Sequence, residues 1–312
     1  MRLARLAPLV VAAFSLFGTT GCIKSMLLNG QIEGTRQASS AVDTVNDYEV
    51  ARSIAYAGLG QFEGMHKLAP GNDDALFLLM KGWAGATYAF TEDDMEHAED
   101  MHMRDLADYH KQRSLAGYDR AIQYGLELVG HKAKGFQEAR RNDASIREWL
   151  KKSFTKKDDA QNLLWLGQAW LSKVNVGKDD PDLVADLFVG VAIIERSVEL
   201  DPEYAYGTGL TLLGAYHART AQAELDQSEQ LFQRAMAVTQ GRALLPKFNY
   251  ATKLLCARGD KAGYEKVLQE VVDAGDTLPE QRLQNVIANR RARRYLSHAR
   301  MEEMRENCGF PE

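Results

Sequence analysis

From Val42 to Glu306, apolar positions recur at intervals of three and four residues almost without a break. That spacing lines them along one face of an α-helix, and no run of alternating β-branched residues competes with it. Pro70, Pro181, Pro202, Pro246 and Pro279 fall at turns or just inside helix starts, where the missing N–H has no intrahelical partner to lose. The pattern predicts an all-α chain with a single helical domain over residues 42–312.

A longer period runs beneath the helical one. Leu163, Leu166-Gly167 and Trp170, and again Leu210, Leu213-Gly214 and His217, suit the first helix of a tetratricopeptide-type pair. Weaker copies stand at Leu78, Gly82, Gly85 and at Phe248, Ala251, Leu255. The second helix needs a small residue, a large one four on, and a small one three further. Gly58-Phe62-Met65, Ser114-Tyr118-Ala121, Gly190-Ile194-Ser197 and Ser228-Phe232-Ala235 approximate that spacing. Small residues let the helices approach and large ones fill the gap. From Gly190 to Ser228, and from Leu210 to Phe248, is 38 residues, near the repeat's usual ~34. The expectation is a degenerate repeat array (an α-solenoid or bundle) of about four pairs, with long connections at Thr91–Asp108 and Ser172–Leu183. A generic helical bundle is the plainer alternative, since small-large spacing occurs wherever helices pack tightly.

The N-terminus has a different pattern. Arg2 and Arg5 precede an uncharged apolar run from Leu6 to Phe17, and small residues lead to Gly21-Cys22. That order is a secretory signal peptide, and about 12 apolar residues are too few to span ~30 Å of hydrocarbon. Cleavage before a cysteine makes Cys22 the expected lipidation site, with Thr19 standing where an aliphatic residue is usual. Residues 1–21 are then a lipoprotein signal peptide and 22–41 a polar, partly flexible tether. The absence of Asp after Cys22 favours the outer membrane's periplasmic face over the inner membrane. The precursor's formal net charge is −5. An acidic, exported chain is not expected to bind nucleic acid.

Candidate chemistry is sparse. No Gly-rich phosphate loop, Gly-x-Ser-x-Gly elbow or His-Glu-x-x-His occurs, so no enzyme, catalytic residue, metal or cofactor is expected. The segment Thr91–His110, rich in carboxylates and including His97 and His102, reads as a solvated acidic stretch. Arg290, Arg291, Arg293, Arg294 and Arg300 flank an apolar stripe of Ala288, Ala292, Tyr295, Leu296 and Ala299 and read as a wet helix face, with pairing to the acidic segment as one alternative. Cys256 reads as a small buried thiol, and its pairing with Cys308 stays open. Trp83, Tyr88, Trp165, Trp170, Tyr206 and Tyr216 fall on first-helix segments. Core is the commoner role for them, but a helical array that closes on itself can line an apolar channel with such residues, which makes them the ligand candidates.

Five blocks, in order, carry a resemblance: "DYEVARSIAYAGLGQFEGMHKLAPGNDDALFLLMKGWAGATYAF", "LAGYDRAIQYGLELVGHKAKGF", "IIERSVELDPEYAYGTGLTLLGAYHAR", "QLFQRAMAVTQGRALLPKFNYATKLLCARGDKAGYEKVLQEVV" and "TLPEQRLQNVIANRRARRYL". Together they resemble the T component associated with TRAP transporters (tripartite ATP-independent periplasmic transporters), from about Val42 to Arg300. After "GAYHAR" that family usually has a Pro and a Gly-Gly turn, whereas here "TAQAELDQSEQ" follows. The resemblance implies a trimeric periplasmic lipoprotein with an internal apolar channel. It would bind the system's periplasmic substrate-binding protein and pass a hydrophobic or organic-acid ligand. A tetratricopeptide-type scaffold for envelope assembly is the second reading, and it expects an open groove in place of a tunnel.

Overall fold

The computed structural model describes residues 19–219 and 224–310, and among them there is no strand. The chain opens with α1 (Thr19–Ala38), α2 (Tyr48–Leu68) and α3 (Asp73–Ala86). A π-helical turn, Thr87–Thr91, carries α3 into α4 (Glu92–Asp100). The long α5 (Arg104–Lys132), a single turn α6 (Phe136–Ala139), α7 (Asp143–Ser153) and α8 (Asp159–Val176) follow. Next come the short α9 (Pro181–Ala185), α10 (Leu187–Leu200), α11 (Tyr204–Arg219) and α12 (Leu225–Val238). The chain ends with α13 (Leu244–Asn249), a second π-helical turn Tyr250–Leu255, α14 (Lys261–Asp273), α15 (Arg282–Tyr295) and α16 (His298–Asn307). Among the described residues, no helix is long and apolar enough to cross a membrane.

The helix starts follow from short polar side chains placed to satisfy free backbone N–H groups. Asp47 Oδ1 accepts from the Glu49 and Val50 amides at 3.0 and 2.9 Å. Asn72, Asn142 and Asp260 each accept from the amide three residues on. Pro181 opens α9 beside its cap Asp180.

Packing follows the small-large logic of the sequence. Helices α3 and α5, α8 and α10, α11 and α12, and α13 with its π-turn and α14 pair side by side, and α5 and α10 join one pair to the next. A Cβ on Gly167 would lie 2.6 Å from Ile194 Cδ1, and one on Gly214 would lie 3.0 Å from the Phe232 ring. These two first-helix glycines thus receive the large residue of the helix that follows, whereas Gly82 faces Leu59 and Phe62 of the helix before it. Ile194 and Phe232 are fully buried, contributing ~1.5–3 kcal/mol each through removal from water. Ser197 and Ser228, small positions of the same pattern, donate to Ala160 O (2.8 Å) and Gly214 O (2.7 Å) of the partner helices.

Two connections expected to be long are mostly helix. α4 fills the first, with Met95 and Ala98 buried on its inner side, and α8 runs on to Val176. The stretch 22–41, read from composition as a tether, is helical through Ala38, and Ile32 seats against Ala75 and Leu78. The signal peptide as far as Gly18 and the Cys22 side chain lie outside the described residues, as does part of the "TAQAELDQSEQ" connection.

The last long helix returns to the first ones. Leu283 and Ile287 of α15 share a buried cluster with Tyr48, Ala51 and Leu59 of α2 and with Ala86, Ala89 and Phe90. The array is therefore closed on itself, and the closure is more than apolar.

Candidate functional site

Asp93, Glu96 and Asp100 recur at i, i+3 and i+7, on one face of α4. Arg290, Arg291 and Arg294 occupy i, i+1 and i+4 of α15 and meet that face. Arg290 Nε donates to Asp93 Oδ2 at 2.8 Å, and Arg294 Nη1 to Asp93 Oδ1 at 2.6 Å. Arg294 also pairs with Glu96 and holds its Nε 3.0 Å from Asp100 Oδ2. Arg300 of α16 adds Nη1 to Asp100 Oδ1 at 2.9 Å. Arg291, only 3% exposed, donates to Tyr88 O at 2.7 Å and stacks its guanidinium 4.4 Å from the Tyr88 ring centroid. Arg290 sits 4.5 Å over the Tyr48 ring, whose hydroxyl donates to Ala89 O at 2.9 Å.

This seam corrects two readings of the sequence in part. The acidic stretch is solvated only in part, since Glu92 and Asp93 are buried while Glu99, Asp105 and Asp108 are exposed. The arginines are only partly a wet face, since Arg291 and Arg300 are buried while Arg290 and Arg293 are exposed. Each cluster neutralises the other, which is the condition for burying charge. Burial pushes the Asp93 carboxyl up, but Arg294, Arg291 and Arg290 more than offset it, and its pKa falls to about 2. Glu92 points the other way. Burial outweighs Arg291 and the hydrogen bond donated by Tyr118, so its carboxyl is pushed up to about 7.

Two cavities border the seam. One, about 680 Å³, lies against α15 and is lined by Tyr48, His97, Leu244, Asn285, Arg290 and Arg293, among others. The other, about 810 Å³, is a cleft of mixed charge between α4, the ends of α8 and α11, the second π-turn and α16. Glu92, Glu96, Glu99, His102, Arg219, Lys253 and Arg300 line it. Burial, and then Arg219, drive the Lys253 ammonium down to about 8. Glu96 and Glu92 oppose that shift, but neither comes within ion-pairing distance of Lys253 among the described contacts. His97 and His102 open onto different cavities.

The cleft is closed on one side by a disulfide. Cys256 and Cys308 are bonded, with Cα atoms 4.7 Å apart, so Cys256 is not the buried free thiol expected from its helical setting. The bond ties α16 to the π-turn that carries Lys253.

The six aromatic candidates do not converge on either cavity. Trp170 is in the central core, its Nε1 donating to Asp186 O at 3.1 Å. Trp83 and Trp165 pack against the same core. Trp83 Nε1 donates to Glu63 at 3.0 Å, and Trp165 Nε1 to the Tyr204 hydroxyl at 3.2 Å. Tyr88 joins Trp83 at the α2–α15 cluster, and Tyr216 joins Trp165 beside α11 and α12. Tyr206 is half-buried at a left-handed turn, Ala205, Tyr206 and Gly207 having φ of 49°, 59° and 77°. Only Gly207 adopts that conformation without strain. Lys253 carried no sequence pattern that marked it out. The complementary spacing of acids in "EDDMEHAED" and arginines in "NRRARR" was the legible trace of the seam.

No curated protein matches the chain. The family profile described as TRAP transporter T-component matches residues 44–302, from the 3₁₀ turn before α2 into α16, and so covers the seam and most of the residues that line the two cavities. The chain belongs to the TRAP transporter T-component family.

Proposed function

We propose that the mature chain is a non-enzymatic accessory of a TRAP transport system, anchored in the periplasm through acylated Cys22, with the outer membrane as the favoured site. In this reading it binds the system's periplasmic substrate-binding protein, works as a homotrimer, and passes a ligand through its body. The family match over residues 44–302 carries the reading. The order of basic, apolar and small residues ending at Gly21-Cys22 supports the anchor.

Of the two ligand classes the resemblance implies, the cleft supports an organic acid. Its wall carries carboxylates as well as cations, and Lys253 and Arg219 repel each other at one part of a cavity roomy enough for a small molecule. A carboxylate seated there would relieve the repulsion between them. The scattered aromatics support an apolar path less well, because most of them are engaged in core packing.

Two measurements test this. Cys22→Ser should move the protein from the membrane to the soluble fraction, and retention on the membrane would overturn the anchor. Calorimetric titration with a series of linear mono- and dicarboxylates should show binding that weakens about tenfold or more in Lys253→Met, the loss expected for one charge-assisted hydrogen bond. Equal affinity in the variant would remove Lys253 from the site.

A further inference from the structure

Helix α1 runs unbroken from Thr19 to Ala38, so the backbone of Cys22 and the docked half of the helix belong to one element. The docking is firm. Ile32 is fully buried, and Arg36 pairs with Asp74, donates to Gln161 Oε1 at 2.9 Å and lies 4.0 Å from the Phe77 ring centroid. Asn72 Nδ2, at the start of α3, donates to Asn29 Oδ1 at 3.0 Å. Ten residues separate Cys22 from Ile32, a rise of about 15 Å along a helix. An acyl chain on Cys22 would therefore fix which end of the body faces the bilayer.

That end also carries unusual surface. Leu68, Met26 and Leu27 are 70%, 69% and 67% exposed, the three highest values for large apolar side chains among the described residues. Leu68 ends α2, and Met65 and Ala69 beside it pack with Leu28 of α1 against one small cluster. Exposed Lys24 and Lys67 accompany them. A second exposed group, Met101, Met103 and Tyr109, lies at the opposite end of α5. His131, in the last turn of α5, pairs with Asp73 at 2.7 Å, which puts that turn at the anchor end. The 29 residues of α5 then carry Met103 about 40 Å away.

We propose that the anchor end of the body is a membrane-docking face: Leu68, Met26 and Leu27 seat at the boundary between headgroups and acyl chains, and Lys24 and Lys67 meet lipid phosphates. Apolar side chains flanked by lysines are what such an interface takes up. This rests on the reading of Cys22 as the acylated residue. It goes further in holding that the protein is seated on its membrane in one orientation, rather than hanging from it.

The acylated full chain, reconstituted into vesicles of phosphatidylethanolamine and phosphatidylglycerol, tests it. With Cys22 acylated and Cys256 bonded to Cys308, a Leu68→Cys or Met103→Cys variant has a single free thiol for an environment-sensitive fluorophore. The probe at 68 should shift to shorter wavelength and be quenched when the lipids carry bromine on their acyl chains. The probe at 103 should do neither. A water-like spectrum at 68, in protein that still floats with the vesicles, would overturn the docking and leave the anchor intact. A blue shift at 68 without quenching would assign the face to a protein contact and equally overturn it. Loss of flotation altogether would overturn the anchor and, with it, the docking.

Discussion

Asp93 and Arg294 are 201 positions apart in the chain, yet Arg294 donates to Asp93 across 2.6 Å. Their contact, with Arg290 and Arg291 beside it, closes the helical array by joining α15 to α4. Asp93→Asn leaves those arginines facing a buried partner without charge and should cost ~3–5 kcal/mol. Asp119→Asn removes only a half-exposed partner of Lys173 and should cost less than ~1 kcal/mol. Urea denaturation of the two variants checks the contrast, and equal losses would mean that the seam contributes no more than a surface pair.

Glu92 should give the protein a pH dependence opposite to that of Asp93. Its pKa is about 7 in the folded protein against an ordinary 4.5, so between those values the folded state holds a proton that the unfolded state has released. Stability from this group is full below about pH 4.5 and falls as the pH rises through 7, by at most ~1.4 kcal/mol per unit. Asp93, held near 2, contributes stability that is lost as pH falls from about 4 toward 2. Glu92→Gln can still accept the Tyr118 hydrogen bond. It should flatten the 4.5–7 limb and exceed the wild type in stability at pH 8. Denaturant midpoints from pH 4 to 8 supply the comparison, and parallel curves would contradict it.

Cys256–Cys308 closes a loop of 52 positions, and Cys308→Ser should lower stability by ~2–4 kcal/mol. Because the bond ties α16 down, amide exchange in residues 298–307 should rise more than in α8 or α10. Uniform acceleration throughout the protein would show that the bond acts globally and not on the cleft wall.

Gly167→Leu would drive its side chain into Ile194 and Ile193 and should destabilise by ~1–3 kcal/mol or more. Phe232→Ala, at a fully buried ring, should cost ~3–5 kcal/mol. Thermal unfolding reads both. A neutral Gly167→Leu would show that α8 and α10 are not held at close approach.

The helices and their pairing were legible because caps, prolines and small-large spacing are local, and Gly167 against Ile194 is written in both helices. The seam was half legible. The acids of α4 and the arginines of α15 have matching spacing, but helical periodicity alone does not say which distant faces meet. For isolated charge runs, solvation is the lower-energy guess. The disulfide was hidden for a related reason, since Cys256 sits in an ordinary amphipathic pattern and Cys308 beyond the last long helix. Lys253 shows the limit most clearly. Its lowered pKa comes from burial and from Arg219, and Arg219 lies far from it in the chain.

Binding to the TRAP system's periplasmic substrate-binding protein is the most direct test of the proposed function. Sedimentation velocity of the purified acylated protein in detergent, mixed with that partner at micromolar concentrations, should show a faster-moving complex that saturates at fixed stoichiometry. Two components sedimenting independently at every ratio would contradict it.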